Sequence, residues 1–278
     1  MKIVRQNLFL PALPITVFLA CAIFLQSKKT PWVDECYTYY GITHDNWGEF
    51  VDSICSGINF SPPLYFFLNW MIQLVFQVPI DALRIESALW ISVGSFLIFR
   101  RCSKAFGVPS AFLGLTLVLL QSDILIEQAL EARHYGMFFA VSCLVLFFFP
   151  SNQASNSSLQ KVLYLISLLA FGLTHYLGIV FCVMAGLARF WLFWKNYNKV
   201  IIPEIEILCS TVLSVCYLAL LTKQSSHLGG WIKDNSVDAL VSQYLGSALP
   251  LSALAIIIPM LFFLPNSAFY SQKQADVA

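Results

Sequence analysis

Long apolar stretches separated by short polar segments dominate the chain. Runs of this kind are typical of transmembrane helices. They cover about Leu8–Gln26, Ile85–Phe99, Val108–Leu125, Met137–Phe149, Val162–Leu173, Leu177–Trp194, Ile201–Leu221 and Leu249–Leu264. The first run follows Lys2 and Arg5 and has no small-residue cleavage site after it, so we interpret it as an uncleaved span. The pattern predicts an all-α polytopic membrane protein with eight transmembrane helices in a single domain, residues 1–278.

One further apolar run, Leu64–Phe76, is too short to cross a bilayer. As a helix it would extend about 20 Å, against a hydrocarbon core of roughly 30 Å. Its polar residues, Asn69, Gln73 and Gln77, recur at i, i+4 and i+8. They lie opposite its aromatic residues. Prolines at 62 and 63 open it, where they are tolerated. The run therefore predicts an amphipathic helix that lies in the membrane interface.

The distribution of basic residues supports this interpretation. If Leu64–Phe76 does not cross, nine basic residues fall on one side: Lys2, Arg5, Arg100, Arg101, Lys104, Lys161, Lys195, Lys199 and Lys273. By the positive-inside rule this side is cytoplasmic, as are both termini. The opposite side then holds a first outer loop, residues 27–83, and a last outer loop, residues 222–248.

The composition agrees with a membrane protein and argues against a nucleic-acid-binding protein. The chain is 58% hydrophobic and 11% charged, with a mean hydropathy of +0.73. A net charge of +1 without a basic stripe argues against a nucleic-acid partner. The eight cysteines are scattered; Cys36 and Cys55 share the first outer loop, and the sequence leaves open whether they form a disulfide.

The first outer loop carries an acidic pair, Asp34 and Glu35, close behind the first predicted span. Aromatic neighbours, Tyr37 among them, indicate a position at headgroup depth, where a carboxylate can still ionise and act as a general base. The alternative is that both acids are ordinary solvated loop residues.

A second cluster of ionisable residues follows the third predicted span. On a continuous helix Asp123, Glu127, Glu131 and His134 would share one face. Because like charges at this spacing repel, a cation is one explanation, and Glu127, Glu131 and His134 are candidate ligands for a divalent metal ion. The alternative is that the acids extend into water. His175, at the outer end of the fifth span, is either a hydrogen-bonded interfacial residue or a catalyst.

The order of these features resembles that of the GT-C superfamily of membrane glycosyltransferases, in the branch of protein mannosyltransferases and aminoarabinose transferases. The resemblance covers roughly residues 8 to 180. It rests on the Asp34-Glu35 pair, on Ser61-Pro62-Pro63-Leu64-Tyr65, on Glu131-Ala132-Arg133-His134-Tyr135-Gly136 and on His175-Tyr176. Many relatives have His where this chain has Ser61. Relatives are also commonly much longer, so the chain is expected to be a fragment or a minimal member.

The resemblance implies an inverting transferase that moves a sugar from a polyprenyl-phosphate donor to an acceptor hydroxyl on a glycan, lipid or protein. Asp34 and Glu35 would be catalytic, with Asp34 as the base. The implied substrate-binding residues are Arg133, Tyr135, Glu131, His175, Tyr37 and Tyr65. No cofactor is certain beyond a candidate divalent cation. The implied location is a bacterial inner or plasma membrane with the active face outward.

Two other functions remain as alternatives. A transporter or flippase of lipid-linked sugars could use the same acids as a substrate path, although transporters usually place charges near the bilayer midplane in repeated halves. A truncated paralogue without catalytic activity could retain the fold.

Overall fold

The apolar runs form helices in the structure, a computed structural model that describes residues 10–56, 61–149, 158–197 and 204–224. The chain divides into two units, Met1–His227 and Leu228–Ala278, and every described residue belongs to the first. The predicted run Leu249–Leu264 and residues 225–248 of the predicted last outer loop lie outside the described residues.

Eleven helices follow one another through the described residues, with no strand among them, which confirms the all-α class. They are α1 (Ala12–Gln26), α2 (Val33–Ile42), α3 (Trp47–Cys55), α4 (Leu64–Phe76), α5 (Ile80–Phe106), α6 (Val108–Gln121), α7 (Asp123–Ala129), α8 (Tyr135–Phe148), α9 (Ser158–Thr174), α10 (Leu177–Tyr197) and α11 (Glu204–Gln224).

By length and apolar composition, α5 alone among the described helices could cross a membrane. The pair α6 and α7 would count as a second crossing if the two are one bent span. Helices α1, α4, α8 and α9 and residues Leu177–Trp191 of α10 are apolar but shorter. Eight crossings therefore stay a prediction.

The predicted run Val108–Leu125 is not one helix. It breaks at Ser122, where α6 and α7 meet at an angle of 67°. The Ser122 side chain accepts a hydrogen bond from the Leu125 N–H at 3.3 Å and so caps α7. A serine hydroxyl satisfies backbone donors that the first turn of a helix leaves unpaired, which favours a new helix start at this position.

Helix α5 is the central element, and α1, α6, α7 and α8 pack around it. Buried apolar residues of four of these helices form one core: Phe18 and Ala22, Ile91 and Phe99, Leu115 and Leu119, and Leu125 and Ala129. Gly94 lets α8 approach closely, because a Cβ there would lie 2.9 Å from the Ala140 Cα. The polar end of this bundle then brings together the segments that precede α2, α5 and α8.

Helix α4 has the predicted bounds, and the three residues of its polar stripe differ in exposure. Asn69 is 1% exposed and faces the protein, where its side-chain amide donates to the Tyr65 carbonyl at 3.1 Å. Val75 and Phe76 are 70% and 72% exposed. Asn69 lies inward because α5 offers a polar partner, the Glu86 carboxylate, 3.4 Å from the Asn69 amide, whereas Gln77 is exposed.

Candidate functional site

The acidic pair occupies the first turn of α2, and the two side chains point in different directions. Adjacent residues on a helix do not face each other. Glu35 lies in the third position of the helix, and its Oε2 accepts the Trp32 backbone N–H at 3.0 Å. Asp34 points away from that contact and is 29% exposed at its side chain. The fold thereby gives the two acids different environments.

Glu35 forms a buried, two-point ion pair with Arg84 of α5. Arg84 donates from Nε to Oε1 and from Nη2 to Oε2, each at 2.8 Å, and the two side chains are 1% exposed or less. Oε1 also accepts the Ala132 N–H at 2.8 Å. Arg84 Nη1 donates to the Lys29 carbonyl at 2.9 Å. These hydrogen bonds connect the segment before α2 to α5 and to the segment before α8.

The same contacts set the protonation state of Glu35. Burial by itself would raise the pKa of its carboxyl, but hydrogen bonds from Arg84, Ala132 and Trp32, together with the Arg84 charge, outweigh burial and lower the pKa below its ordinary value. Glu35 is therefore held as a carboxylate whose two oxygens already accept four hydrogen bonds. This argues for a structural role rather than a catalytic one.

Asp34 instead pairs with Arg133, 99 residues further along the chain, at 2.9 Å between Oδ2 and Nη1. Both side chains remain accessible, at 29% and 22% exposure. The Arg133 guanidinium also lies over the Tyr135 ring, 4.9 Å from its centroid, in a cation–π contact. The accessible carboxylate of the site thus sits directly against its accessible guanidinium.

Ser87 and Gly136 position Arg133. The Ser87 hydroxyl is 2.7 Å from the Glu131 carbonyl and 3.1 Å from the Arg133 carbonyl, which accept hydrogen bonds from it. A Cβ at Gly136 would lie 2.5 Å from the Ser87 carbonyl oxygen. Because only glycine allows this approach, the Arg133 loop rests directly on α5.

Glu131 lies beside Arg133 but pairs with a different cation. Its Oε1 is 3.4 Å from the Lys29 Nζ, and both side chains are partly exposed. Lys29, Arg84 and Arg133 therefore balance three carboxylates at this end of the bundle: Asp34, Glu35 and Glu131.

Two histidines and a tyrosine border the site on the other side. The rings of His134 and His175 lie 5.3 Å apart, and His134 also contacts Tyr65, which is fully buried. Burial lowers the pKa of His134 well below its ordinary value, and it lowers the pKa of His175 to about 4, with the Arg133 charge acting in the same direction. Both imidazoles are therefore neutral at pH 7 and offer hydrogen bonds rather than charge.

The predicted metal site is not formed. Helix α7 ends at Ala129, so Glu127 lies on it while Glu131 and His134 lie in the turn that follows, and the spacing of a continuous helix is lost. Glu127 is exposed, Glu131 pairs with Lys29 and His134 is buried. Among residues 10–56, 61–149, 158–197 and 204–224, no group of three or more His, Cys, Asp or Glu side chains is placed to hold a metal ion.

Most of the other predicted site residues come together, and Tyr37 lies one helical turn from Asp34 on α2. Asp34, Glu35, Glu131, Arg133, Tyr135, His175 and Tyr65 surround one end of α5 and α8. Tyr37 lies in a cleft between α2 and α3. Cys36 and Cys55 are free thiols.

Sequence reasoning missed Lys29, Arg84 and Ser87 as members of the site. Arg84 carried a usable signal, because it directly precedes a predicted span, Ile85–Phe99, where a buried charge is costly without a partner. Its partner is 49 positions away, a separation that no local pattern predicts.

Comparisons with protein-family models, with curated proteins and with solved structures found no match to this chain.

Proposed function

We propose that the chain is a membrane glycosyltransferase that moves a sugar from a polyprenyl-phosphate donor to an acceptor hydroxyl at the outer face of a membrane, as the resemblance to the GT-C superfamily implies. The observation that carries the proposal is the 2.9 Å contact between Asp34 and Arg133. In this contact a candidate base, Asp34, lies against a candidate phosphate ligand, Arg133, and both side chains are accessible to a substrate.

In this mechanism the donor phosphate competes with Asp34 for the Arg133 guanidinium. A guanidinium binds phosphate oxygens with paired hydrogen bonds, so the exchange costs little and releases the Asp34 carboxylate. Donor binding thereby frees the Asp34 carboxylate to act as the base in the transfer step. Lys29, partly exposed beside Glu131, supplies a second positive charge near the phosphate.

The transfer step then involves one proton and two bonds. The acceptor oxygen attacks the anomeric carbon, the bond from that carbon to the phosphate oxygen breaks, and Asp34 takes the acceptor proton. Arg133 stabilises the negative charge that develops on the departing phosphate. Base catalysis contributes typically about 10²–10⁴-fold, and a preorganised charge at the leaving group contributes about 10²–10³-fold.

An apolar groove beside the site suits the lipid part of such a donor. It measures about 350 Å³ and lies between α3 and α4, with Trp47, Phe50, Ile54, Leu64 and Leu173 among its lining residues. Leu64 precedes Tyr65, and Leu173 comes two residues before His175. We propose that the isoprenoid chain lies here while its phosphate reaches Arg133.

The proposal includes eight crossings, with α4 lying in the interface. The position of α4 supports this, because Arg84, which follows it, binds Glu35 and the Lys29 carbonyl, which precede it. The chain therefore returns to the same end of the bundle after α4. The exposed apolar residues Val75 and Phe76 suit contact with lipid.

The test is sugar transfer from a polyprenyl-phosphate donor by the purified full chain in nanodiscs. Asp34→Asn removes the base while preserving size, so we expect kcat to fall by about 10²-fold or more without loss of donor binding. Arg133→Lys should weaken donor binding, because an ammonium cannot reproduce two-point contact with phosphate.

Asp45→Asn is the matched control, since Asp45 is an exposed acid of the same outer segment, in the turn between α2 and α3. It should transfer at the wild-type rate. Full activity in Asp34→Asn would refute the proposed mechanism.

A further inference from the structure

The hairpin of α2 and α3 borders a second, open cleft, apart from the apolar groove. Its volume is about 430 Å³, within the range of small-molecule sites. Helix α2 contributes Tyr37 and Tyr40, the turn contributes His44, and α3 contributes Glu49, Asp52 and Ser53. We call this cavity the hairpin cleft.

The hairpin cleft begins one helical turn from the proposed base. Tyr37 follows Asp34 by three positions on α2, so the two residues share a face. At 1.5 Å per residue the distance along the helix is about 5 Å, and Gly41, deeper in the cleft, lies about 10 Å from Asp34 along the same axis. A ligand in the hairpin cleft can therefore present one end to Asp34.

The walls of the hairpin cleft are held in place from outside. The Trp70 indole N–H donates to the His44 carbonyl at 2.8 Å, and Phe50 stacks on Trp70 with ring centroids 4.8 Å apart. The Asn46 side chain accepts the Glu49 N–H at 2.9 Å and caps α3. A preformed site of this kind avoids part of the ordering cost of binding.

The chemistry of the lining selects among ligands. Glu49 and Asp52 are carboxylates, and the basic group that faces them, His44, is 3.9 Å from Glu49. Negative charge disfavours a phosphate here, so the donor headgroup belongs with Arg133 instead. Carboxylates and the Ser53 hydroxyl accept hydrogen bonds from a ligand that carries several hydroxyl groups.

The aromatic residues of the hairpin cleft also favour a ligand that carries several hydroxyl groups. Tyr40 is 68% exposed although it is a large ring. The face of an aromatic ring carries partial negative charge and attracts the positive edge of a ligand, such as the C–H bonds on one side of a sugar ring. An exposed ring on α2 together with carboxylates on α3 therefore matches the apolar and the polar faces of a carbohydrate.

We propose that the hairpin cleft is the acceptor subsite and that the acceptor is a carbohydrate, with one of its hydroxyl groups presented to Asp34. This inference rests on the proposed function for the reaction, but binding of a carbohydrate can be tested without turnover. A cationic polypeptide is the competing ligand, and the test separates the two.

Binding is measured first, by saturation-transfer NMR of the full chain in nanodiscs with a panel of methyl disaccharides and, in parallel, a lysine-rich peptide. We expect at least one disaccharide to bind, and Tyr40→Ala and Asp52→Asn each to weaken it about tenfold, the effect of losing about 1.4 kcal/mol. Both residues are exposed, so these substitutions spare the core. Asp45→Asn and Trp32→Ala are matched controls outside the hairpin cleft and should bind as the wild type does.

Transfer is measured second, with the disaccharide that binds as the acceptor. The two cleft variants should raise the acceptor KM about tenfold. No disaccharide binding by the wild type, or peptide binding that Asp52→Asn weakens, overturns the inference. Disaccharide binding in the cleft without any transfer or donor hydrolysis would instead refute the proposed reaction while leaving the carbohydrate site standing.

Discussion

Replacing Glu35 with glutamine tests whether the buried ion pair holds the site together. The substituted amide would keep one acceptor oxygen where the wild-type carboxylate accepts four hydrogen bonds on two oxygens. Its NH₂ group would face the Arg84 guanidinium, donor against donor, and leave the buried charge with only the exposed Asp81 carboxylate, 3.5 Å away, as a counterion. Breaking one side of such a pair costs about 3–5 kcal/mol.

This loss of stability can be measured as a fall in the melting temperature, Tm. For a chain of this size each kcal/mol shifts Tm by about 2–4 °C, so the apparent Tm should fall by about 10 °C. Tryptophan fluorescence during heating in nanodiscs reports the transition. Asp34→Asn is the control, because its partly exposed ion pair contributes about 1 kcal/mol or less.

A double variant, Glu35→Gln with Arg84→Met, should recover part of the lost stability, since it leaves no uncompensated charge. If Glu35→Gln instead melts within about 2 °C of the wild type, the buried pair does not stabilise the fold and our reasoning is wrong.

Three further outcomes follow from other parts of the structure. Gly136→Ala should destabilise the chain, because its Cβ would meet the α5 backbone at 2.5 Å, whereas Gly114→Ala has open space and should stabilise it by about 0.5–1 kcal/mol; thermal unfolding compares the two. His175 has a pKa near 4 in the folded chain and its ordinary value of 6.5 in the unfolded chain, so its stabilising contribution is lost as pH falls from 6.5 to 4. His175→Asn should flatten that part of the stability profile, and an unchanged slope would contradict the assignment. Single cysteines at Asp45 and Asp81, in a chain otherwise free of cysteine, should both react with an impermeant outside reagent, and opposite accessibility would disprove the proposed topology.

The apolar runs of the sequence predicted most of the apolar helices, because such a run and its flanking breakers are local properties, but they did not predict α2, α3 or the break between α6 and α7. The bounds of α4, residues Leu64–Phe76, agree with the predicted run, and the all-α class is confirmed. Motif order also selected Asp34, Arg133 and His175, which the fold places at one end of the bundle.

The predicted metal site is not formed because the helix that would align its ligands ends early, and the periodicity of the sequence does not reveal that end. Asp123, Glu127 and Glu131 share a face only if the helix continues, and α7 ends at Ala129. Helix ends depend on capping contacts and on what the next segment packs against, and here Glu131 is drawn to Lys29, 102 positions away.

Tertiary structure alone decided which of two adjacent acids is accessible. Asp34 and Glu35 have nearly the same chemistry in sequence, but the helix directs their side chains apart, and Arg84 of α5 meets only Glu35. The same holds for Asn69 of α4, whose amide meets the Glu86 carboxylate of α5. A buried polar group must find a partner, and the partner's place depends on how distant helices pack, which the order of residues along one helix does not specify.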